Sequence, residues 1–348
     1  MQKAYNKSWY YILLDKLYKR YMKKLSLVLG LSILLSSCGE EATLVRKGNI
    51  SWNSPEIAIP KVEQKEDKLE KGIWWHNLGS NFRKDKTWTR KVISNLANEG
   101  FTDIYYQVYP NGQMLTMMLG TVLHESNKHN IKVHVWINPF RNNTHGEYTT
   151  IKAPNWTKSQ DWGHPTDPKV REGLFSDVRE LLKRYKPYPA LGDLHIDDYF
   201  YPYSHTIQKG VSSKEKEQGV FETVAGLHAL AEEYDMGFTV SPLGIPLIDS
   251  KVPSDIKGKN IKEVLHFDAE RVAQIEGINF IPQLYWPTND KDRPLSKLIE
   301  YWQGNYPMKS IGIAAHRYDK KVLEEQTKMA NEAGLGVVWF VGDVEKLE

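Results

Sequence analysis

Short apolar runs alternate with stretches of helical period from Lys71 to the end of the chain. Gly72-Ile73-Trp74-Trp75-His76-Asn77 reads as a first strand. Asp85 to Asn98 places Trp88, Val92, Ile93 and Leu96 on one helical face, and Gly100 stops it. Asp103 to Tyr109 predicts a second strand ending at Pro110, Met117 to His129 a second helix, and Ile131 to Asn138 a third strand ending at Pro139. A long loop rich in Asn, Thr, Trp and His runs to Asp167, which with Pro168 supplies an N-cap and first helical residue for a helix through Tyr185. In the fourth strand Leu194 and Ile196 alternate with His195, Asp197 and Tyr199. The pattern continues with helix Ser213–Tyr234, strand Gly237–Ser241, a loop holding Pro242, Pro246 and Pro253, and a helix over Ser254–Gln274 broken near Gly258. Strand Ile278–Trp286, helix Leu295–Gln303, strand Ser310–His316, helix Lys320–Ala333 and strand Gly336–Val341 complete it.

Eight strands separated by seven helices predict an α/β fold, a (β/α)8 TIM barrel. An open doubly wound sheet would want a Gly-rich phosphate turn after the first strand, and none stands there. The eighth helix is expected to be short or missing, with the N-terminal segment covering its gap.

Ahead of the barrel pattern the composition changes. Lys23-Lys24 is a positive n-region, Leu25 to Leu35 a short apolar run, and Leu35-Ser36-Ser37-Cys38 matches the bacterial lipobox. The segment resembles a lipoprotein signal peptide, whereas a transmembrane helix needs about 20 apolar residues. Residues 1–37 are read as that leader. Met22 opens a conventional leader by itself, which makes 1–21 an upstream extension of the start or a longer n-region. The resemblance implies lipidation at Cys38 and anchorage to the lipid bilayer of a bacterial cell envelope, expected to be the outer membrane. The acidic Gly39-Glu40-Glu41 leaves the periplasmic and surface faces both open. Residues 38–70 lack a sustained period, hold Pro55, Pro60 and a charge run from Lys61, and read as a tether to a domain over 71–348.

The formal charge of +3 is unevenly placed: residues 1–37 carry +6, which leaves the remainder at −3. A body this close to neutral carries no footprint for nucleic acid. The single cysteine, Cys38, excludes an internal disulfide framework and a multi-cysteine zinc site. Eleven Trp and 19 Tyr are a mild hint of carbohydrate handling; taken alone, an aromatic core accounts for them as well or better.

In such a barrel the active site lies at the C-terminal ends of the strands. Those ends supply Trp75, His76 and Asn77, then Gln107 and Tyr109, then Trp136, Asn138 and, just beyond, Arg141. They continue with His195, Asp197, Asp198 and Tyr199, with Ser241, with Gln283, Tyr285 and Trp286, and with His316 and Arg317. Amides and rings with few charges suit a neutral polyol. Asp197 and Asp198 are the catalytic candidates. Adjacent strand residues face opposite ways, so Asp197 is the inward group and Asp198 orients a neighbour or bonds the loop. The other tips are expected to bind substrate, with Tyr285 and Trp286 as sugar platforms. A glycosidase normally needs a second carboxyl about 5–9.5 Å away. Asp167, Glu147, Asp249 and Asp268 are the candidates, with the substrate's own N-acetyl group as the alternative.

Gln107-Val108-Tyr109-Pro110, Trp136-Ile137-Asn138-Pro139-Phe140-Arg141, His195-Ile196-Asp197-Asp198-Tyr199-Phe200-Tyr201-Pro202, Ser241-Pro242-Leu243-Gly244 and Pro282-Gln283-Leu284-Tyr285-Trp286 resemble successive blocks of the bacterial "glycosyl hydrolase-like 10" lipoprotein family. The resemblance runs from Lys71 to Val341. It departs from the family's usual Arg at Tyr109, from the acidic loop at Gln113-Met114, and from the usual entry to the helix after strand four. The resemblance implies a TIM barrel that hydrolyses O-glycosyl bonds of a cell-wall or other polysaccharide, with a polysaccharide or peptidoglycan-type glycan as partner, no cofactor and no metal. Two alternatives stand beside it. The missing second acid suits a catalytically inactive glycan-binding barrel. His76, His134, His195, His266 and His316 invite a metal-dependent amide or ester hydrolase, although the first strand lacks a His-x-His pair.

Overall fold

The computed structural model describes residues 69–76, 85–109, 116, 118–152, 159–197, 200–202, 207–245, 259–342 and 344. In chain order the elements are β1 (Lys71–Trp75), α1 (Lys86–Asn98), β2 (Asp103–Tyr109), α2 (Leu119–Lys128), β3 (Lys132–Ile137), β4 (Tyr148–Ile151), β5 (Gln160–Gly163), α3 (Pro168–Tyr185) and β6 (Leu191–Asp197). They continue with α4 (Ser213–Glu233), β7 (Phe238–Ser241), α5 (Ile261–Leu265), α6 (Ala269–Val272), β8 (Ile278–Phe280), α7 (Leu295–Asn305), β9 (Ser310–Ile313), α8 (Lys320–Glu332) and β10 (Gly336–Phe340).

Local chemistry starts these helices. Asp85 accepts the Trp88 amide at the head of α1, and Asp167 accepts the Lys169 amide with Pro168 opening α3. Ser212 and Glu215 form a reciprocal capping box on α4. Each helix then lays an apolar stripe on the sheet, such as Val92, Ile93 and Leu96 of α1 or Leu174, Val178 and Leu181 of α3.

Eight strands are hydrogen-bonded in the order β8-β7-β6-β3-β2-β1-β10-β9, all neighbours parallel. Bridges Phe280↔Met308 and Gln283↔Gly312 join the two ends. The fold is a (β/α)8 barrel. Among the described residues no helix follows β10. A groove of about 470 Å³ lies between α1 and α8, walled by Leu96, Phe101, Leu323, Trp339 and Val341. The expected leader, the Cys38 anchor and the tether up to residue 68 lie outside the described residues. No helix among the described residues is long and apolar enough to cross a membrane.

The structure departs from the periodicity at three places. The long loop after β3 contains the antiparallel hairpin β4–β5, whose strands are too short to show an alternation. The sixth predicted strand ends at Phe280, because Pro282 has no N–H for the ladder; pairing resumes only as single bridges from Gln283 to Leu243 and Gly312. The helix predicted over Ser254–Gln274 is two short helices in its described part. His266, at φ 52°, ends the first in the left-handed region, and Asp268 caps the second.

Two apolar layers result. The larger lies between strands and helices; the smaller fills the barrel with Trp74, Tyr105, Trp136, Ile281 and Val338. Below this inner cluster, at the N-terminal strand ends, sits a network of charges. Glu70 accepts hydrogen bonds from Tyr105 Oη at 2.5 Å and Ser310 Oγ at 2.6 Å. The Lys309 ammonium lies 3.1 Å from Asp193 and 3.6 Å from Glu70. His134 Nε2 bonds Asp103 at 2.8 Å, and its Nδ1 accepts the Asp193 amide at 2.8 Å. Burial, then the Asp103 charge, raises the Glu70 pKa. Burial opposes the Asp193 charge, but His134 and Lys309 outweigh it and hold that carboxyl well below the usual range.

Two largely buried carboxylates therefore share one ammonium, and Asp193 has His134 besides. Replacing Lys309 by Met should lower the unfolding free energy by about 1–3 kcal/mol, the partly exposed lysine placing it below a fully buried pair. Urea denaturation at neutral pH reads this, and a variant as stable as its parent would show that Asp193 and Glu70 do not rely on that charge.

Candidate active site

At the other end of the barrel a cavity of about 340 Å³ is lined by Trp74, His76, Gln107, Trp136, Arg141, Asp197, Gln283, Tyr285, Arg317 and Phe340. Strand parity decides who faces it. Trp74 and His76 point inward, while Trp75 packs outward, edge-on to Trp88 and Tyr106 with ring centroids 5.7 Å apart. The Trp74 ring fits because Gly312 faces it; a Cβ there would stand 2.5 Å from the indole.

Asp197 ends β6 and is 4% exposed. A carboxylate this buried is costly unless it is hydrogen-bonded. Asn138 Nδ2 donates to its Oδ1, and Gln107 Nε2 donates to Asn138 Oδ1 at 2.5 Å. The direction of this chain is forced. An ionised carboxylate only accepts, so Asn138 presents its NH2 to Asp197 and its oxygen to Gln107. Three strands, β2, β3 and β6, thereby fix one carboxylate on the cavity wall.

His195 lies beneath, fully buried. Its Nε2 accepts the Trp74 indole N–H at 3.0 Å, so its proton sits on Nδ1 and is donated to Thr239 Oγ1 at 2.9 Å. Burial holds the imidazole pKa well below its ordinary value, in keeping with a neutral ring. Tyr105 stacks on His134 at 4.3 Å and meets His195 edge-on at 4.6 Å, linking the charge network below to the Trp74 floor above.

Of the sequence-predicted residues, the cavity gathers Asp197, His76, Gln107, Trp136, Arg141, Gln283 and Tyr285. Asn138 stands behind Asp197 as its clamp. His195 does not reach the cavity; it supports Trp74 from below. Ser241 is fully buried, in register with Asp197 on the neighbouring strand, and its carbonyl accepts Gln283 Nε2 at 3.4 Å. Trp286 packs away from the cavity on the outer layer, under the Arg293 guanidinium at 4.8 Å. His316 also turns outward, into the groove beside β10, and buttresses Arg317. Asp198, Tyr199 and the Tyr109 side chain lie outside the described residues.

Among the second-acid candidates, Asp167 and Asp268 serve as helix caps and Glu147 is an exposed partner of His164; Asp249 lies outside the described residues. Sequence reading missed Trp74 and Phe340, and set Arg317 aside for its neighbour. Parity from His76 would have found Trp74, and parity from Val338 would have found Phe340. The role of Gln160, which accepts Arg141 Nε at 2.9 Å, depends on the hairpin and has no local signal.

The five histidines of the metal reading do not converge on one another. Glu70, Asp103 and His134 bring ligand atoms within 4.8 Å, but at the opposite end of the barrel. There Tyr105, Ser310, Lys309 and the Asp193 amide already use the available lone pairs, so these residues make an internal network rather than an open coordination site.

YngK of Bacillus subtilis (strain 168) is 25% identical over 301 residues, covering 70% of this chain and 58% of its own length. DigH of Escherichia coli (strain K12) is 24% identical over 358 residues, covering 82% of this chain and 80% of its own. Both relatives are named glycosyl hydrolases. This chain is similar to glycosyl hydrolases. Its match thus spans little more than half of YngK. No family model matches the chain. Among solved structures the glycoside hydrolase domain of PgaB (BpsB) from Bordetella bronchiseptica shares the barrel, with a TM-score of 0.53, 13% identity and coverage of 80% of this chain and 96% of that one. The two curated relatives support a glycosyl hydrolase-like function.

The histidine under the floor has a pH signature. A group whose folded pKa is depressed below the unfolded value of 6.5 makes stability fall as pH drops through 6.5, since the unfolded chain then takes up a proton that the folded chain refuses. His195→Gln keeps an acceptor for Trp74 and removes the titration. Urea denaturation at pH 7.5, 6 and 5 should show a shallower acid loss in the variant, by up to about 1.4 kcal/mol per pH unit. Parallel profiles for the two proteins would mean that His195 does not stay neutral when folded.

Proposed function

We propose that this barrel is a glycoside hydrolase that cleaves a bacterial cell-wall or other polysaccharide glycan, with Asp197 as the acting carboxylate. One observation carries the reading: a buried carboxylate, clamped through Asn138 and Gln107, on the wall of a cavity whose other walls are Trp74, Trp136, Tyr285 and Phe340. Aromatic faces take the C–H faces of a sugar, and a fixed carboxylate can act as nucleophile or base on the anomeric centre. The amide groups of Gln107 and Gln283 lie within the same wall for substrate hydroxyls.

A second reading has its own support. Among the described residues, Asp197 is the one carboxylate lining the cavity, whereas a glycosidase normally works with a pair. In that reading the barrel binds glycan without cutting it. In the first reading, the substrate's N-acetyl group or an acid outside the described residues completes the chemistry.

Asp197→Asn separates them. On purified peptidoglycan glycan strands, the parent should release reducing ends and the variant should lose on the order of 10³-fold in rate with an unchanged circular dichroism spectrum. Equal turnover in both proteins removes Asp197 from the chemistry. Retained binding with no release by the parent on any polysaccharide selects the second reading.

We also infer anchorage of the chain to a membrane of the bacterial envelope through lipidated Cys38, on the strength of Leu35-Ser36-Ser37-Cys38 after a basic and apolar leader. Mass spectrometry of the native N-terminus should find acylated Cys38, and Cys38→Ala should move the protein to the soluble fraction. An unlipidated chain that begins upstream of residue 38 would refute it.

A further inference from the structure

We propose that the protein holds a second site, for a phosphoryl group, where Lys216 and His266 meet the ring of Tyr201; it is independent of the glycan-cleaving reading and stands whether or not that reading does. None of the three lines the Asp197 cavity. Lys216 opens the buried stripe of α4, which goes on through Val220, Thr223, Val224 and Leu227. That spacing is the core-facing side of a helix, and its first position carries a lysine. Gly219 brings this side of α4 hard against the preceding loop, where a Cβ would stand 2.4 Å from the Pro165 carbonyl oxygen. Lys216 is 4% exposed and is the only buried lysine among the described residues. Lys309, partly exposed, has two carboxylates beside it. Lys216 meets no carboxylate among the described residues, and burial alone acts on its amine, lowering the pKa. Its ammonium lies instead over the Tyr201 ring, 5.4 Å from the centroid.

The same ring has a second neighbour. His266 packs edge-on to Tyr201 with ring centroids 4.4 Å apart, and Phe200 stacks on Phe267 at 4.5 Å and 18°, tying the loops after β6 and β7 together. His266 is 6% exposed, and its Nδ1 is buried without a hydrogen-bond partner. Its backbone stands in the left-handed region at φ 52°, which a residue with a Cβ enters at a cost. Burial, then the Lys216 charge, brings its pKa down to about 4, so at neutral pH it supplies an N–H without a charge. The acids on the adjoining elements have other partners: Glu215 closes the capping box on Ser212, Glu217 and Asp268 flank Lys262, and Glu147 faces His164. An ammonium buried without a counter-charge is costly, and the positive end of the α4 dipole adds to the local potential. A bound oxyanion relieves both. The ammonium is a compact point charge with three donors, and an imidazole N–H from a separate loop adds a fourth. Such a set suits the tetrahedral oxygens of a phosphoryl group, whereas a planar carboxylate is matched best by a guanidinium fork.

Calorimetric titration of the full-length protein at neutral pH and constant ionic strength tests this, with inorganic phosphate, glucose 6-phosphate and acetate as probes. At least one of the two phosphates should bind on the order of 10-fold or more tightly than acetate, and Lys216→Met should remove that binding. Methionine fits the apolar stripe, so without phosphate the variant's urea midpoint should equal or exceed the parent's, which tells lost binding from lost folding. His266→Leu should weaken binding less than Lys216→Met does, since it removes a donor but no charge. Tighter binding of glucose 6-phosphate than of phosphate assigns the site to a phosphorylated ligand; the reverse assigns it to the free ion. No binding of either phosphate, equal affinity for acetate, or binding unchanged in either variant overturns the proposal.

Discussion

A polar side chain sent into a closed ring of parallel strands must find its partner on another strand. No water-filled exterior is available to it, and an unpaired buried donor or acceptor costs about 1–3 kcal/mol. This barrel sends many: Gln107, His134, His195, Asp197 and Thr239 all point inward and are nearly or fully buried. The bonds of this column join different strands: Trp74 of β1 to His195 of β6, His195 to Thr239 of β7, Gln107 of β2 to Asn138 just past β3, and Asn138 to Asp197 of β6. Register and polar pairing thus specify one another. A slip of one residue in β1 would turn Trp74 outward, leave His195 without its donor, and change the ring that Gly312 must accommodate.

That mutual dependence explains what could be read from the chain alone. Strands and helices carry their own periods, so the barrel, the cap at Asp167 and the inward direction of Asp197 were legible, while the caps at Asp85 and Ser212 went unread. The partners were not, because they arise from register between strands far apart in sequence. His195 was expected at the substrate, having the same parity as Asp197; it lies two residues earlier, one layer deeper, and meets Trp74 instead. Trp286 looked like a platform by its place after Tyr285, but the chain has left the barrel wall after Pro282, so strand alternation no longer predicts direction. His316 and Arg317 fall in a 3-10 turn, where neighbours diverge by about a third of a turn, and the arginine rather than the histidine faces the cavity.

The two ends of the barrel axis use similar residues to opposite purpose. At the N-terminal end, the carboxylates of Glu70, Asp103 and Asp193 each meet a cation or a hydroxyl of the protein itself. At the C-terminal end the barrel opens into a cavity, and a chain of side-chain amides orients Asp197 on its wall. The stabilising end of a (β/α)8 barrel and its working end are distinguished here by the kind of partner each charge has, not by which residue types are present.

The proposed substrate class rests on the cavity wall as a whole. The amide-rich strand tips, taken as a set, suit an uncharged polyol, and the walls of Trp74, Trp136, Tyr285 and Phe340 fit any sugar face. Hydrogen-bonding amides and aromatic faces discriminate shape and hydroxyl pattern but are indifferent to net charge. A carboxylate fixed on one wall among those rings makes the cavity directional. Under the glycan-cleaving proposal, a carboxylate already held by Asn138 and Gln107 before the sugar arrives would meet the anomeric carbon rather than a random hydroxyl, because the rings set the plane of the sugar and the amides set the position of the acid.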